Sequence, residues 1–221
     1  MDKVVFITGS SIGIGRETAF WFAKANWKIV ISYLKDRKEA EKTARKCKEL
    51  GAEDIMVLNL DLRESNNIDK CVKEIVKKFR KIDVLINNAG VIVWKNFSEY
   101  NDKDIEDQIR INLEGLIKIT KKCLPYIRDT IINIASRAGK IAHAGLSVYC
   151  ATKFGVRGFS YALADELKGK IKVYCVNPTT TATRMTGFSG DPAEKVGEII
   201  FNSVIGKYKI ESGGEIDVWE L

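Results

Sequence analysis

The chain is expected to fold as α/β: a single doubly wound, mainly parallel sheet of about seven strands, with helices on both faces. Three observations predict this. Short apolar, β-branched runs alternate with helical patterns along the chain, the rhythm of βαβ units. The first of these units carries a glycine-rich turn between its strand and its helix. The 221 residues can bury one large core and show no internal repeat, low-complexity segment or linker, so one domain over residues 1–221 is expected.

The pattern places strands at 3–8, 28–33, 54–59, 83–87, 130–135 and 171–177, with a last one near 215–219. Helices are expected at 13–25, 37–50, 65–80, 102–128, 147–168 and 192–204. The three prolines agree with these limits: Pro125 lies near a helix end, Pro178 just past a strand and Pro192 at a helix start. In such open sheets, ligands bind beyond the carboxyl ends of the strands.

The opening strand Val4-Val5-Phe6-Ile7 runs into Thr8-Gly9-Ser10-Ser11-Ile12-Gly13-Ile14-Gly15 and then a helical pattern. A strand, a turn rich in glycine and a helix form a cradle for a dinucleotide. Glycine lets the backbone approach a pyrophosphate, and the helix N-terminus supplies free N–H groups and a positive dipole. The spacing here is Gly-x-x-x-Gly-x-Gly rather than the commoner Gly-x-Gly-x-x-Gly.

Tyr149 and Lys153 are four residues apart on one expected helix, with Ser136 thirteen residues before the tyrosine. Residues at i and i+4 share a helical face. A free phenol has a pKa of about 10. A cation within ~4–6 Å favours the ionised form, so Lys153 is expected to draw the Tyr149 pKa toward the working pH and make it a usable acid or base.

These motifs, with Asn87-Asn88-Ala89-Gly90 between them, stand in the order and spacing of the short-chain dehydrogenase/reductase family, which the chain resembles from residue 3 to about 185. The resemblance implies a Rossmann-type sheet and hydride transfer between a nicotinamide cofactor and a ketone or secondary alcohol. It implies that Tyr149 protonates the substrate oxygen, Ser136 hydrogen-bonds that oxygen, Lys153 serves Tyr149 and the nicotinamide ribose, and Asn112 supports a water relay to the lysine. It assigns cofactor binding to Gly9, Ser11, Ile12, Gly13, Ile14 and Gly15, to Tyr33 and Lys35 after the second strand, and to Asp61 and Leu62 at the adenine. Asn87, Ala89 and Gly90 follow on the fourth strand, with Tyr149 and Lys153 beside the nicotinamide, and Pro178 and Thr183 complete the set. The family's Pro-Gly pair is Pro178-Thr179 here, and threonine restricts a backbone that glycine would leave free.

NADP(H) is favoured over NAD(H). The family position for an acid that binds the ribose 2′-OH falls on uncharged Tyr33, and Lys35 and Arg37 follow; Asp36 argues the other way. Residues 179–190 are expected to form a lid, and with 91–97 and 140–146 to shape the substrate pocket. A 3-oxoacyl thioester and a sugar or polyol both remain open as substrates. Trp94, Phe97, Met185 and Phe188 favour an apolar substrate body, and His143 reads as an exposed loop residue. The principal rival reading is a catalytically silent, cofactor-binding regulator on the same fold. A homodimer or homotetramer is expected by analogy with the family.

The formal charge is +7, but basic and acidic residues interleave, as in Lys35-Asp36-Arg37-Lys38-Glu39-Ala40-Glu41-Lys42. That is a solvated helix face rather than a nucleic-acid stripe. No run approaches a membrane span, and none resembles a secretory leader. Five cysteines without metal-ligand spacing suit a reducing, cytoplasmic setting, and no metal site is expected.

Overall fold

A computed structural model describes residues 2–221. Seven strands form one parallel sheet in the order β3-β2-β1-β4-β5-β6-β9. They are β1 (Val4–Ile7), β2 (Lys28–Tyr33), β3 (Ile55–Asn59), β4 (Ile82–Asn87), β5 (Ile127–Ile134), β6 (Lys172–Asn177) and β9 (Glu215–Asp217). The helices are α1 (Gly13–Lys24), α2 (Arg37–Glu49), α3 (Ser65–Phe79), α4 (Asp102–Ile109), α5 (Leu116–Cys123), α6 (Ser147–Glu166) and α7 (Ala193–Val204).

Successive strand residues point to opposite faces, and here both faces are covered, which is why the strands read as continuous apolar runs. Val5 and Ile7 pack among Phe22 of α1, Cys47 of α2 and Ile200 of α7. Val4 and Phe6 pack on the other side among Ile75 of α3, Ile119 of α5 and Leu163 of α6. The five cysteines are all buried and unpaired, and burial holds the Cys47 and Cys175 thiols up at about 12. Among the described residues no helix is long and apolar enough to cross a membrane.

The structure departs from the sequence expectation in four places. The helix expected over 102–128 is interrupted by a widened π turn at Arg110–Gly115. It ends in a tight turn at Leu124–Tyr126, so β5 starts at Ile127 rather than 130; Pro125 lies in that turn and cannot extend the helical ladder. The lid expected at 179–190 contains a strand, β7 (Thr181–Ala182), paired in parallel with β8 (Asp191–Pro192), and a turn at Arg184–Thr186. The final strand stops at Asp217, and Val218–Glu220 curls into a helical turn.

A buried line of polar groups crosses the sheet centre. The Asn87 amide donates to Thr120 Oγ1 and to Asn133 Oδ1, both at 2.8 Å, and the Asn133 amide donates to Ser160 Oγ at 2.9 Å. It ties α5, β4, β5 and α6 together beneath the carboxyl edge of the sheet.

Candidate active site

Beyond the carboxyl ends of the strands lies a cavity of about 1140 Å³, larger than the ~300–1,000 Å³ of an ordinary small-ligand pocket. One end is built on glycines. Gly9 and Gly13 have φ of +63° and +62°, a conformation that an L side chain would strain. A Cβ on Gly15 would lie 2.5 Å from Asn88 Nδ2 and 2.7 Å from the Gly9 carbonyl oxygen, so the first turn of α1 packs directly on the loop. Asn88 Nδ2 donates to the Thr8 and Gly9 carbonyls at 2.9 and 3.0 Å. Thr8 Oγ1 accepts from the Asn88 and Ala89 N–H groups at 2.9 and 3.0 Å. The end of β4 thereby staples the glycine loop open. A bare backbone with N–H groups at a helix N-terminus fits a pyrophosphate.

Ser11, Ile12, Gly13, Ile14, Tyr33, Lys35, Asp61 and Leu62 line this end with Gly9, Ala89 and Gly90; Pro178 and Thr183 line the cavity across from them. Three expected contacts do not line it. Gly15 lies behind the loop as a packing glycine. Asn87 is committed to the buried polar line. Asn112 is fully buried on the widened turn, where its Oδ1 accepts from the Val91 N–H at 2.7 Å and its Nδ2 donates to the Val91 carbonyl at 2.8 Å. It fixes the chain after β4, at the cavity wall. Asp61 accepts three hydrogen bonds from Arg63, from the backbone N–H, Nε and Nη2, at 3.0, 2.9 and 2.7 Å. This pairing holds its carboxyl below the usual range and leaves about one of its four lone-pair sites free.

At the other end, Ser136 follows β5, and Tyr149 and Lys153 follow one another on α6; all three line the cavity. Ser136 Oγ accepts from the Ala138 N–H at 3.1 Å. Lys153 Nζ donates to the Ile134 carbonyl at 2.8 Å and lies 5.6 Å from the Tyr149 ring centre. Here the expected electrostatics are overturned. Burial pushes the Tyr149 phenol up to about 12, with the Ser136 hydroxyl pulling it down by less. Burial also pushes Lys153 down to about 8. The ammonium is engaged with the Ile134 carbonyl rather than the phenol, and removal from water, which disfavours the charged form of each group, is the largest influence on both. A neutral phenol beside a cationic amine at neutral pH is an arrangement suited to delivering a proton.

Thr179 needs none of the freedom of the glycine it replaces. Its φ is not positive, and its hydroxyl donates to Asp191 Oδ2 at 2.5 Å, linking the start of the lid to its end. Ser32 and Asn88, to which sequence reasoning gave no contact, also line the cavity. So do Asp36, weighed in the sequence only against NADP(H), and Ile92 and Arg184, covered there only as parts of the segments 91–97 and 179–190. Asn88 was within reach, as part of a quoted motif. The pairing of Arg184 was not, because its partner Asp36 lies 148 residues away. His143 and Trp94 line the cavity too, while Phe97 and Phe188 are exposed outside it.

Residues 3–194 match the family profile described as short chain dehydrogenase. Estradiol 17-beta-dehydrogenase 11 of Macaca fascicularis is 32% identical over 203 residues, which is 88% of this chain and 66% of that protein. The 3-oxoacyl-[acyl-carrier-protein] reductase FabG of Staphylococcus aureus is 30% identical over 196 residues, 86% of this chain and 79% of that one. The chain thus spans just under two thirds of the length of the first of these relatives. A short chain dehydrogenase from Burkholderia cenocepacia, solved in complex with NADP, superimposes with a TM-score of 0.91 at 22% identity, covering 98% of this chain and 96% of that one. At that identity the likeness is one of fold.

Proposed function

Because the chain belongs to the short-chain dehydrogenase family, we propose that it is an NADP(H)-preferring oxidoreductase interconverting a ketone and a secondary alcohol at the Ser136–Tyr149–Lys153 end of the cleft. The observation that carries this reading is the joining of that constellation and the glycine cradle in one continuous cavity.

The cofactor would be held by the glycine loop, by Asp61 and Leu62, by Ala89 and Gly90, and by Pro178 and Thr183, and when bound it supplies or accepts the hydride. Tyr149, neutral at working pH, gives its proton to the substrate oxygen during reduction and takes it back in oxidation. Ser136 hydrogen-bonds the same oxygen and stabilises the charge that develops there. Lys153 favours the tyrosinate that proton transfer leaves behind. Asn112 keeps the wall after β4 in place.

The preference for NADP(H) is supported by uncharged Tyr33 at the end of β2 and by Lys35 at the cavity wall. Asp36, the acid there that would repel a 2′-phosphate, is paired with Arg184. Ile92, Trp94, Leu146 and Met185 line the remaining space and favour a ketone on an apolar body, a class to which an acyl chain or a steroid belongs and a sugar does not.

Titration calorimetry with NADPH and NADH, followed by turnover of a ketone panel with Tyr149→Phe alongside, tests the reading. NADPH should bind more tightly, and Tyr149→Phe should lose about 10²–10⁴ of the rate with cofactor affinity unchanged. Tight binding without turnover of any ketone would favour a silent regulator, and failure to bind either cofactor would sink the assignment.

A further inference from the structure

Given the roles just proposed for Ser136 and Tyr149, we infer that Glu215 is a positioning residue: through Arg157 and Lys140 it clamps the turn carrying Ser136 onto the helix carrying Tyr149 and Lys153. Ser136 and Tyr149 must meet at one substrate oxygen, yet they stand on different elements. Their relative placement depends on how the Arg137–Gly139 turn docks on α6.

The docking is close. The turn is closed by the Gly139 N–H donating to the Ser136 carbonyl at 2.8 Å, and anchored by the Arg137 N–H donating to the Pro178 carbonyl at 2.9 Å. Gly139 approaches α6 so nearly that a Cβ there would lie 2.8 Å from the Lys153 carbonyl oxygen. One helical turn beyond Lys153, Arg157 Nη1 donates to the Gly139 carbonyl at 2.6 Å. The same guanidinium grips Glu215 with its other nitrogens, Nε on Oε1 and Nη2 on Oε2, the latter at 3.1 Å. Glu215 also takes the Lys140 ammonium at 2.7 Å. Lys140 reaches on to Asp217, which accepts from Asn177 Nδ2 at 2.8 Å. Trp219 lies under both Arg137 and Lys140, at 5.7 and 5.8 Å.

One carboxylate therefore bridges a cation of the turn to a cation of the helix. The side chains of Glu215, Arg157 and Lys140 are only 14, 19 and 25% exposed, so water screens their interaction far less than it would a surface pair. Burial works against the carboxylate, but Arg157, Lys140 and Tyr161 together bring its pKa down to about 2, so it stays ionised wherever the protein works. Without its charge, Lys140 would keep Asp217 and Arg157 the Gly139 carbonyl, but no anion would join the cation of the turn to the cation of the helix. Glu215 itself lies outside the cavity lining and acts only through what it holds.

The test compares the full chain with Glu215→Gln, which keeps shape and loses charge, and with Arg157→Lys, which keeps charge and loses the fork. In both, amide hydrogen exchange of residues 137–141 should quicken by about tenfold or more, kcat should fall about tenfold, and the NADPH affinity should hold within about twofold. In a Ser136→Ala background the Glu215 substitution should cost little further kcat, because the hydroxyl it positions is gone. Equal losses in both backgrounds would reveal a merely structural part and overturn the proposal, as would unchanged exchange at the turn in both variants. An active wild type with indifferent variants would sink the clamp alone. A wild type inert toward every ketone, with the turn still loosened in the variants, would sink the enzymatic reading and leave the clamp standing.

Discussion

The glycine-loop half of the cleft is held by backbone, whereas the half carrying Ser136 and Tyr149 is held by charge. In the first, Asn88 and Thr8 hydrogen-bond main-chain groups, and a missing Cβ at Gly15 permits the contact. In the second, Lys140, Arg157, Glu215 and Asp217 make the joint, and a buried lysine stands inside it. The difference teaches where each half is vulnerable. The first should fail on the addition of a methyl group and ignore pH; the second should tolerate changes of size and fail on changes of charge.

The largest effect that would break this contrast is at Lys153. Lys153→Met should cost about 10²–10⁴ in turnover, yet stabilise the fold by about 1–3 kcal/mol at neutral pH, because a buried cation is replaced by an apolar chain of similar shape. The sign follows from its folded pKa of about 8. Between that value and the unfolded pKa near 10.4 the unfolded chain binds more protons, so wild-type stability rises with pH across that window. Denaturant melts of the two proteins from pH 7 to 10 should converge as pH climbs. A parallel pair of curves would show that the lysine is not desolvated.

Next comes Gly15→Ala, whose methyl group would meet Asn88 and Gly9 at less than contact distance. Opening the loop to admit it should weaken NADPH binding by about 10–100-fold, equally at pH 6 and pH 9. A marked pH dependence of that loss, read by calorimetry, would blur the distinction between the halves.

Glu215→Gln sharpens the other side. With its folded pKa down at about 2, Glu215 contributes stability that is fully present above the unfolded value of about 4.3 and lost as pH falls toward 2, at most about 3 kcal/mol. The stability gap between wild type and variant should close over that range in acid-unfolding curves. The smallest effect belongs to Arg184→Ala. Both partners of the Arg184–Asp36 pair are about half exposed, so the fold should lose about 0.5 kcal/mol or less and the melting midpoint should scarcely move. A larger shift would mean that the lid is held by more than a surface pair.

The same contrast explains what the sequence disclosed. The glycine loop was legible because strand, turn and helix are contiguous and each residue type has a local reason to be there. Tyr149 and Lys153 were legible because helical spacing fixes their neighbourhood. The clamp was not. Arg157 and Glu215 are 58 residues apart, and each alone looks like any charged surface residue. The sign of the Tyr149 shift was misread because spacing reports proximity and says nothing of burial. The β7–β8 ladder, two residues in each strand, is too short to leave a pattern, and the widened turn at Asn112 preserves helical periodicity closely enough to hide itself.

The buried asparagines of the central strands have one further consequence, for how the chain avoids folding wrongly. β5 reads Ile131-Ile132-Asn133-Ile134 against β4 Leu85-Ile86-Asn87, and strands this apolar would be nearly as content slipped by one position. A slip would send the two amides to opposite faces and strand each in hydrocarbon, at about 1–3 kcal/mol apiece. The Asn87–Asn133 bond thus acts as a proofreading contact: it makes the misaligned sheets that hydrophobicity alone would tolerate into shallow, short-lived traps.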